Sequence, residues 1–289
     1  MHLARAGDAY PAEVQLVSMS DGATLATIES GTLRTHPPAV LLHGGPGLWD
    51  YLAPLAEMLC ELTVSYRYDQ RGCGNSSSSD ELSMARYVDD LHELIESWGH
   101  DHVVIIGHSF GATLALAYGA LHPDRVAAIG YLSGVGIGDW RTPYRAERAW
   151  RAAPFADRLA ELSARATRSR QEETEWRQLS WATDYADPVA GIELARPMAE
   201  SPLSINVRAN REISFTDADQ IGWAAATACP VTFIHGTADP RPVANSMMLA
   251  AHAPRARTRV VQGAGHLPWA ERPADIQGLL REIVLTASE

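Results

Sequence analysis

The amino-acid sequence predicts an α/β protein with a mostly parallel central β-sheet, flanking helices and an inserted helical cap. Short apolar runs of strand length alternate with longer runs of helical periodicity over most of the 289 residues, which is the pattern of βαβ units. A stretch rich in arginine and glutamate interrupts this alternation late in the chain. Hydrophobic residues make up 46% of the sequence, which is enough for one large core into which a cap is inserted.

The chain opens with a predicted β-hairpin over residues 13–30, because Asp21 and Gly22 form a turn pair between two strand-like runs. Buried strands and helices are then expected to alternate. The strands are predicted in residues 37–45, 62–72, 102–109 and 126–134, and the helices between them in residues 51–60, 83–99 and 111–123. Ser83 is a suitable N-cap for the second of these helices, and Pro123 ends the third.

Residues 139–222 contain no strand candidate and carry four tryptophans among their charged residues. The alternation then resumes, with strands predicted in residues 229–240 and 258–266 and helices in residues 243–254 and 273–285. The sequence therefore predicts a core made of residues 1–138 and 223–289, with residues 139–222 inserted as a helical cap or lid.

Composition excludes several classes of function. The formal net charge of −11 argues against nucleic acid or an anionic membrane surface as the main partner. All 24 basic residues are arginine, so a P-loop lysine, a Schiff-base lysine and a Ser–Lys dyad are excluded. The three cysteines are scattered and no metal-ligand spacing occurs, so we expect no metal and no cofactor. No signal segment or membrane-spanning stretch is present, so we expect a cytoplasmic protein with no membrane contact.

The motif Gly107-His108-Ser109-Phe110-Gly111 lies between a predicted buried strand and a predicted helix. A strand that turns at once into a helix needs small residues on both sides of the corner, and it throws the corner side chain outward. This G-x-S-x-G arrangement is typical of a nucleophile elbow. The motif is moderately common by chance, so further residues have to support Ser109 as a nucleophile.

A serine nucleophile needs a histidine base that is oriented by a carboxylate. Asp239 follows one late predicted strand and His266 follows the last one, in the chain order Ser, Asp, His that accompanies a nucleophile elbow. Asp239 could instead cap the next helix, and His266 could be a surface loop residue. Because both occur in order and at strand ends, the sequence predicts the catalytic triad Ser109, Asp239 and His266.

An oxyanion hole needs two backbone N–H groups that point at the developing negative charge. We predict that Phe110, directly after the nucleophile, supplies one and that Gly45 in the glycine-rich loop of residues 43–47 supplies the other. Gly44 is expected to contact the substrate. His43 and His108 are interpreted as structural residues. The predicted chemistry is acyl transfer from an ester or amide to Ser109 and then to water.

Two further motifs resemble a known family. "HGGPG" at residues 43–47 and "DQRGCGNS" at residues 69–76 are similar to motifs of the proline iminopeptidases of the S33 peptidase family. From about residue 14 onward the chain resembles the α/β-hydrolase fold. The resemblance implies removal of an N-terminal residue, typically proline, with the cap recognising the free amino group. We interpret Asp69 and Arg71 as residues that brace this loop and have no part in the chemistry.

The chain departs from the proline iminopeptidase pattern at two points. Its elbow reads GHSFG, a form widespread among esterases, where the family has a form close to GGSWG. It also lacks the family's E-N-x-Y-F stretch, whose glutamate binds the substrate's amino group. Candidate substrate-binding residues in the cap are Trp140, Trp181 and Glu212, with Glu193 and Glu200 as further carboxylates.

Three hypotheses on function follow. The first is a proline iminopeptidase-like aminopeptidase. The second is a hydrolase or acyltransferase of the same architecture that acts on a small ester, lactone or amide of secondary metabolism. The third is a ligand-binding protein on a hydrolase fold, which ranks last because all three triad residues are present. We expect a small molecule or a short peptide as the substrate, and the sequence leaves the oligomeric state open.

Overall fold

The computed structural model describes residues 13–287, which contain one eight-stranded sheet in the order β1-β2-β4-β3-β5-β6-β7-β8. The strands are β1 (Val14–Ser18), β2 (Thr24–Ser30), β3 (Ala39–Leu42), β4 (Ser65–Tyr68), β5 (Val103–His108), β6 (Val126–Leu132), β7 (Val231–Gly236) and β8 (Ala256–Val261). The pairs β1–β2 and β2–β4 are antiparallel, and all the others are parallel. The predicted hairpin and the mostly parallel sheet are confirmed.

Thirteen α-helices accompany the sheet in the part of the chain that is described. They are α1 (Ala53–Leu59), α2 (Met84–Ser97), α3 (Phe110–Leu121), α4 (Arg141–Ala152), α5 (Ala156–Ala164), α6 (Arg170–Ala182), α7 (Pro188–Leu194), α8 (Arg196–Ala199), α9 (Val207–Glu212), α10 (Asp217–Ala226), α11 (Val243–Ala250), α12 (Pro268–Glu271) and α13 (Pro273–Thr286). The hydroxyl of Ser83 accepts a hydrogen bond from the Arg86 N–H at 3.1 Å, so the predicted N-cap of α2 is confirmed.

Helices cover both faces of the sheet, and each face has its own apolar core. Residues of α2, α3 and α11 pack on one face, and residues of α1 and α13 pack on the other. Every residue of β3, β5 and β7 is buried, as expected for parallel strands that are covered on both sides. The edge strand β8 is mostly exposed, and its Arg259 pairs with Glu282 of α13.

All the regular secondary structure in the segment between β6 and β7 is helical. Its arginines and glutamates pair between neighbouring helices, for example Arg158 of α5 with Glu175 of α6 at 2.6 Å. Helix α10 spans residue 222 and packs along α3 of the core. The domain boundaries at residues 138 and 222 stay predictions, and the second of them lies inside this helix. Among residues 13–287, no helix combines the length and apolar character needed to cross a membrane.

Candidate active site

Ser109 stands at the corner between β5 and α3, with φ 55° and ψ −117°. A left-handed φ is costly for a residue with a side chain, and it persists only where the surroundings impose it. The two flanking glycines explain how the corner closes. A Cβ on Gly107 would lie 2.0 Å from the carbonyl oxygen of Gly111, and a Cβ on Gly111 would lie 2.1 Å from that of Leu42. The GHSFG segment therefore has the strand-corner-helix form predicted from the sequence.

Asp239 and His266 meet in the loops that follow β7 and β8. The Nδ1 atom of His266 lies 2.7 Å from Oδ2 of Asp239, and both side chains are buried. Burial opposes ionisation of Asp239, but the contact with His266 and the charge of Arg241 hold the pKa of this carboxyl well below its usual range. The carboxylate of Asp239 accepts a hydrogen bond from Nδ1–H of His266. This leaves Nε2 of His266 as the atom that can act as a base.

Gly45 lies in the loop after β3, and Phe110, directly after Ser109, is the first residue of α3. Both line a cavity together with Ser109. Helices leave their first N–H groups without partners inside the helix. Within residues 13–287, neither the Gly45 N–H nor the Phe110 N–H donates a hydrogen bond to another protein group. Both predicted oxyanion donors are therefore available. Gly44 differs, because its N–H donates to the hydroxyl of Tyr51 at 2.8 Å.

A buried chain of hydrogen bonds joins the HGGPG loop at residues 43–47 to the loop after β8 that carries His266. The Tyr51 hydroxyl lies 2.6 Å from Nδ1 of His108, and Nε2 of His108 lies 2.8 Å from the carbonyl oxygen of His266. A carbonyl can only accept, so Nε2 carries the proton of His108 and Tyr51 donates to Nδ1. Burial lowers the pKa of His108 well below its usual range, which keeps the ring neutral. His108 is structural, as expected.

The DQRGCGNS segment braces the same region. The side-chain amide of Gln70 donates to the carbonyl oxygen of His43 at 2.9 Å, and its backbone N–H donates to Nε2 of His43 at 3.0 Å. Arg71 forms a buried two-point contact with Asp90. Asp69 accepts backbone N–H groups of Asp50 and Asn75. The motif therefore fixes the HGGPG loop, in agreement with its structural interpretation.

Two cavities are lined by Ser109. We call the first, of about 250 Å³, the His266 chamber, because it is the one that contains His266. We call the second, of about 200 Å³, the Phe110 chamber. Ser109, Gly45 and Arg241 line both of them. Of the tryptophans predicted to bind substrate, Trp181 lines the His266 chamber and Trp140 lines the Phe110 chamber.

The charged side chains of the His266 chamber are Arg148, Asp184 and Arg241. Arg241 reaches from the loop after Asp239 across to the cap, where it forms an ion pair with Asp184 at 2.5 Å. The guanidinium also lies 4.4 Å from the ring centre of Tyr144. Asp184 therefore has its cationic partner inside the protein.

None of the cap glutamates proposed from the sequence lines either chamber. Glu212 pairs with Arg208 at 2.5 Å, and Glu193 and Glu200 both pair with Arg196. All three lie on exposed helix faces, where arginines one turn away hold them. The substrate-binding role predicted for Glu212 has no support in this placement. Gly44 is not among the residues that line the two chambers either, and its N–H is bound by Tyr51.

Several residues of the site were not predicted from the sequence, namely Tyr51, Arg148, Asp184, Arg241 and Trp269. Trp269 packs against His108, with the two ring centres 4.7 Å apart. Arg241 and Trp269 follow Asp239 and His266 by two and three residues, so proximity to the predicted triad could have indicated them. Tyr51 follows the HGGPG motif by four residues, whereas Arg148 and Asp184 lie far from any motif, and no local signal marks them.

Comparison with known proteins assigns this chain to a family. A model of the alpha/beta hydrolase family matches residues 39–276. Over 84 residues the chain is 42% identical to a proline iminopeptidase of Saccharolobus solfataricus, and that alignment covers 27% of this chain and 27% of the relative. The chain thus aligns with about a quarter of the length of that curated relative.

Solved structures resemble the whole chain at lower identity. A thermophilic esterase from Thermogutta terrifontis, with malate bound, has a TM-score of 0.72 and 22% identity, covering 96% of this chain and 100% of that one. A proline iminopeptidase of Mycobacterium smegmatis has a TM-score of 0.67 and 19% identity, covering 96% and 99%. At these identities the likeness shows the fold. Since the family model matches well over half of its residues, the chain belongs to the alpha/beta hydrolase family.

Proposed function

We propose that this hydrolase is a serine hydrolase that works through an acyl-enzyme on Ser109. The observation that carries the proposal is the strained corner at Ser109, which opens into the same chamber as His266, whose other nitrogen is held by Asp239. A serine becomes a competent nucleophile when a base oriented in this way takes its proton. The available N–H groups of Gly45 and Phe110 would stabilise the oxyanion.

The reaction follows from these positions. Oγ of Ser109 forms a bond to the substrate carbonyl carbon while its proton passes to Nε2 of His266, and the carbonyl electron pair moves to the oxygen. When the carbonyl re-forms, the leaving group departs with the proton from His266. Water then repeats the two steps, releases the acid and restores Ser109. Asp239 keeps the ring oriented and stabilises its charged form throughout.

The charges of the site favour a small ester or amide over a peptide with a free amino terminus. An ammonium group needs an uncommitted carboxylate near the reacting bond. The one carboxylate that lines the His266 chamber is Asp184, and Arg241 already occupies it. The chambers are small, and the aromatic side chains of Tyr144, Trp176 and Trp181 form much of the wall of the larger one.

Proline aminopeptidase activity is the second candidate. The HGGPG and DQRGCGNS motifs favour it, and so does the identity shared with the proline iminopeptidase of S. solfataricus. In that case Asp184 would have to exchange Arg241 for the substrate's amino group.

The test is a paired assay with proline β-naphthylamide and p-nitrophenyl butyrate, each with the wild-type enzyme and with Ser109→Ala. We expect ester cleavage that falls about a thousandfold or more in Ser109→Ala, with little cleavage of the prolyl amide. Fast, serine-dependent cleavage of the prolyl amide would reverse the order of the two candidates. Ester cleavage that persists in correctly folded Ser109→Ala would overturn the acyl-enzyme proposal.

A further inference from the structure

The His266 chamber contains an arginine that has no ion-pair or hydrogen-bond partner among residues 13–287. Arg148 lies on α4, one helical turn after Tyr144, and faces the chamber from the cap. It is partly buried. Within residues 13–287 its guanidinium forms no ion pair and no hydrogen bond to the protein, whereas Arg241 across the chamber pairs with Asp184.

The neighbours of Arg148 on the same helix differ from it either in having a partner or in being exposed outside the chamber. Arg151, three residues later, is bound by Glu147 at 2.8 Å and by the carbonyl oxygen of Tyr185 at 2.7 Å. Arg145, three residues earlier, is exposed and does not line the chamber. Partial burial of a guanidinium without a counter-charge costs solvation free energy. A substrate that supplies the counter-charge would offset this loss of solvation free energy.

The side chains that line the chamber sum to an excess of positive charge. Arg148 and Arg241 face one ionised carboxylate, Asp184, while the carboxylate of Asp239 lies behind His266 with no exposed side-chain surface. The whole protein has a formal net charge of −11. The cationic chamber is therefore a local feature that runs against the overall charge, and it fits an anionic group.

We infer that Arg148 binds an anionic group, a carboxylate, on the part of the substrate that leaves after attack by Ser109. The inference rests on the proposed function and names its substrate class. The leaving atom has to take its proton from His266, so the leaving portion lies in the His266 chamber, where Arg148 is. The acyl portion then lies in the Phe110 chamber. The planar guanidinium can bind a carboxylate through two parallel hydrogen bonds.

The substrate class is consequently an ester or amide formed by a hydroxy acid or an amino acid whose own carboxylate stays free. Hydrolysis would release the acyl group as one acid and the hydroxy or amino acid as the other. The reaction that supplies such a substrate must acylate a hydroxyl or amino group of a molecule that already carries a carboxylate.

The experiment compares 4-carboxyphenyl acetate with 4-carbamoylphenyl acetate, two esters of nearly the same shape that differ in the charge of the leaving group. Each kcat/KM is divided by the ester's rate of hydrolysis by hydroxide, which removes the difference in intrinsic reactivity. We expect the wild-type enzyme to prefer the carboxylate by about tenfold or more, as for a charge-assisted hydrogen bond. Arg148→Gln should abolish this preference, and Arg148→Glu should reverse it.

Arg145→Gln is the matched control, because it removes the same charge from the same helix outside the chamber. It should keep the wild-type preference, and circular dichroism would show that every variant is folded. An equal preference in the wild-type enzyme and in Arg148→Gln would overturn the inference, as would a wild-type enzyme without any preference. Both outcomes leave the proposed function intact if Ser109→Ala is inactive, whereas ester turnover that survives Ser109→Ala would overturn the proposed function itself.

Competition by the leaving groups gives a second measurement that needs no variant. 4-Hydroxybenzoate should inhibit turnover of p-nitrophenyl butyrate at concentrations about tenfold lower than 4-hydroxybenzamide does. Equal inhibition by the two compounds would contradict a carboxylate site in the His266 chamber.

Discussion

At the scale of single residues, the corner at Ser109 depends on what its neighbours lack. Gly111 sits where α3 begins, directly against the carbonyl groups of Leu42 and His43 at the end of β3. No rotation of a side chain can relieve a contact with backbone, so a methyl group there has to displace either the helix or the strand. The same displacement would move the N–H of Phe110.

We therefore expect Gly111→Ala to lower the free energy of unfolding by about 2 kcal/mol or more and to reduce kcat through the displaced oxyanion donor. Gly278→Ala is the control, since a Cβ on this glycine of α13 would meet nothing within 4 Å. Alanine in a helix interior is favoured over glycine by about 0.5–1 kcal/mol, so this variant should be slightly more stable. Urea unfolding and esterase assays of both variants measure these effects. A Gly111→Ala enzyme as stable as Gly278→Ala would contradict the packing argument.

The sequence predicts residues whose role depends on local chain geometry and misses those whose role depends on tertiary contacts. Ser109, Asp239 and His266 each follow a strand, so the strand pattern locates them. Arg148 lies on α4 and Asp184 just past the end of α6, in a region where many arginines and carboxylates look alike along the chain. Only the folded chain shows that Arg148 faces a chamber and that Glu212 is paired on the surface.

At the scale of elements, the loops after β3 and β8 are held to one another through Tyr51 and His108. Tyr51 precedes α1, and His108 is the last residue of β5. The Tyr51 hydroxyl accepts from the Gly44 N–H and donates to His108, which in turn donates to the carbonyl oxygen of His266. One tyrosine hydroxyl therefore links the HGGPG loop to the loop that carries His266.

We expect Tyr51→Phe to lower the free energy of unfolding by about 1–3 kcal/mol, since two buried polar groups lose their partner. The Gly44 N–H and Nδ1 of His108 are those groups. The shift of the oxyanion loop should reduce kcat more than it changes KM, because the oxyanion forms only in the transition state. Tyr144→Phe is the control, as its ring also lines the His266 chamber. Equal kinetics in the two phenylalanine variants would rule out this role for Tyr51.

Secondary structure in the core was predictable because its patterns are strong and local. The buried runs of β3, β5 and β7 and the capped helix α2 all appear where the sequence indicates them. The end of the cap was harder to predict, because α10 looks like the other helices of that region in sequence. Its contacts with α3, including the hydrogen bond from the Gln220 amide to the carbonyl oxygen of Gly136 at 2.9 Å, depend on tertiary structure.

At the scale of the whole molecule, the predicted cap contacts the rest of the chain at the proposed active site. Asp184, just past the end of α6, pairs with Arg241 through its side chain and accepts the His266 N–H through its backbone oxygen at 2.7 Å. The cap residue thus contacts both loops that carry the predicted acid and base. We therefore expect the folding of this helical segment and the alignment of the site to be coupled. No sequence pattern indicates these contacts.

The protein as a whole should become less stable on mild acidification, because several of its histidines are buried and neutral. Burial lowers the pKa of His43, His108 and His235 below the ordinary value. In the unfolded chain each takes up a proton below about pH 6.5, whereas the folded protein does not. The unfolded state then binds more protons, so the free energy of unfolding must fall as the pH falls.

The loss between pH 7 and pH 5 is at most about 2 kcal/mol for each buried histidine, and His108, whose pKa lies well below its usual range, should contribute the most. Urea unfolding at pH 7, 6 and 5 measures it. His108→Asn should reduce the pH-dependent loss whatever its effect at pH 7, and His102→Asn, at an exposed position, should leave it unchanged. A free energy of unfolding that stays constant from pH 7 to pH 5 would show that these rings accept protons in the folded protein. The neutral His108 that the hydrogen-bond chain between Tyr51 and His266 requires would then be excluded.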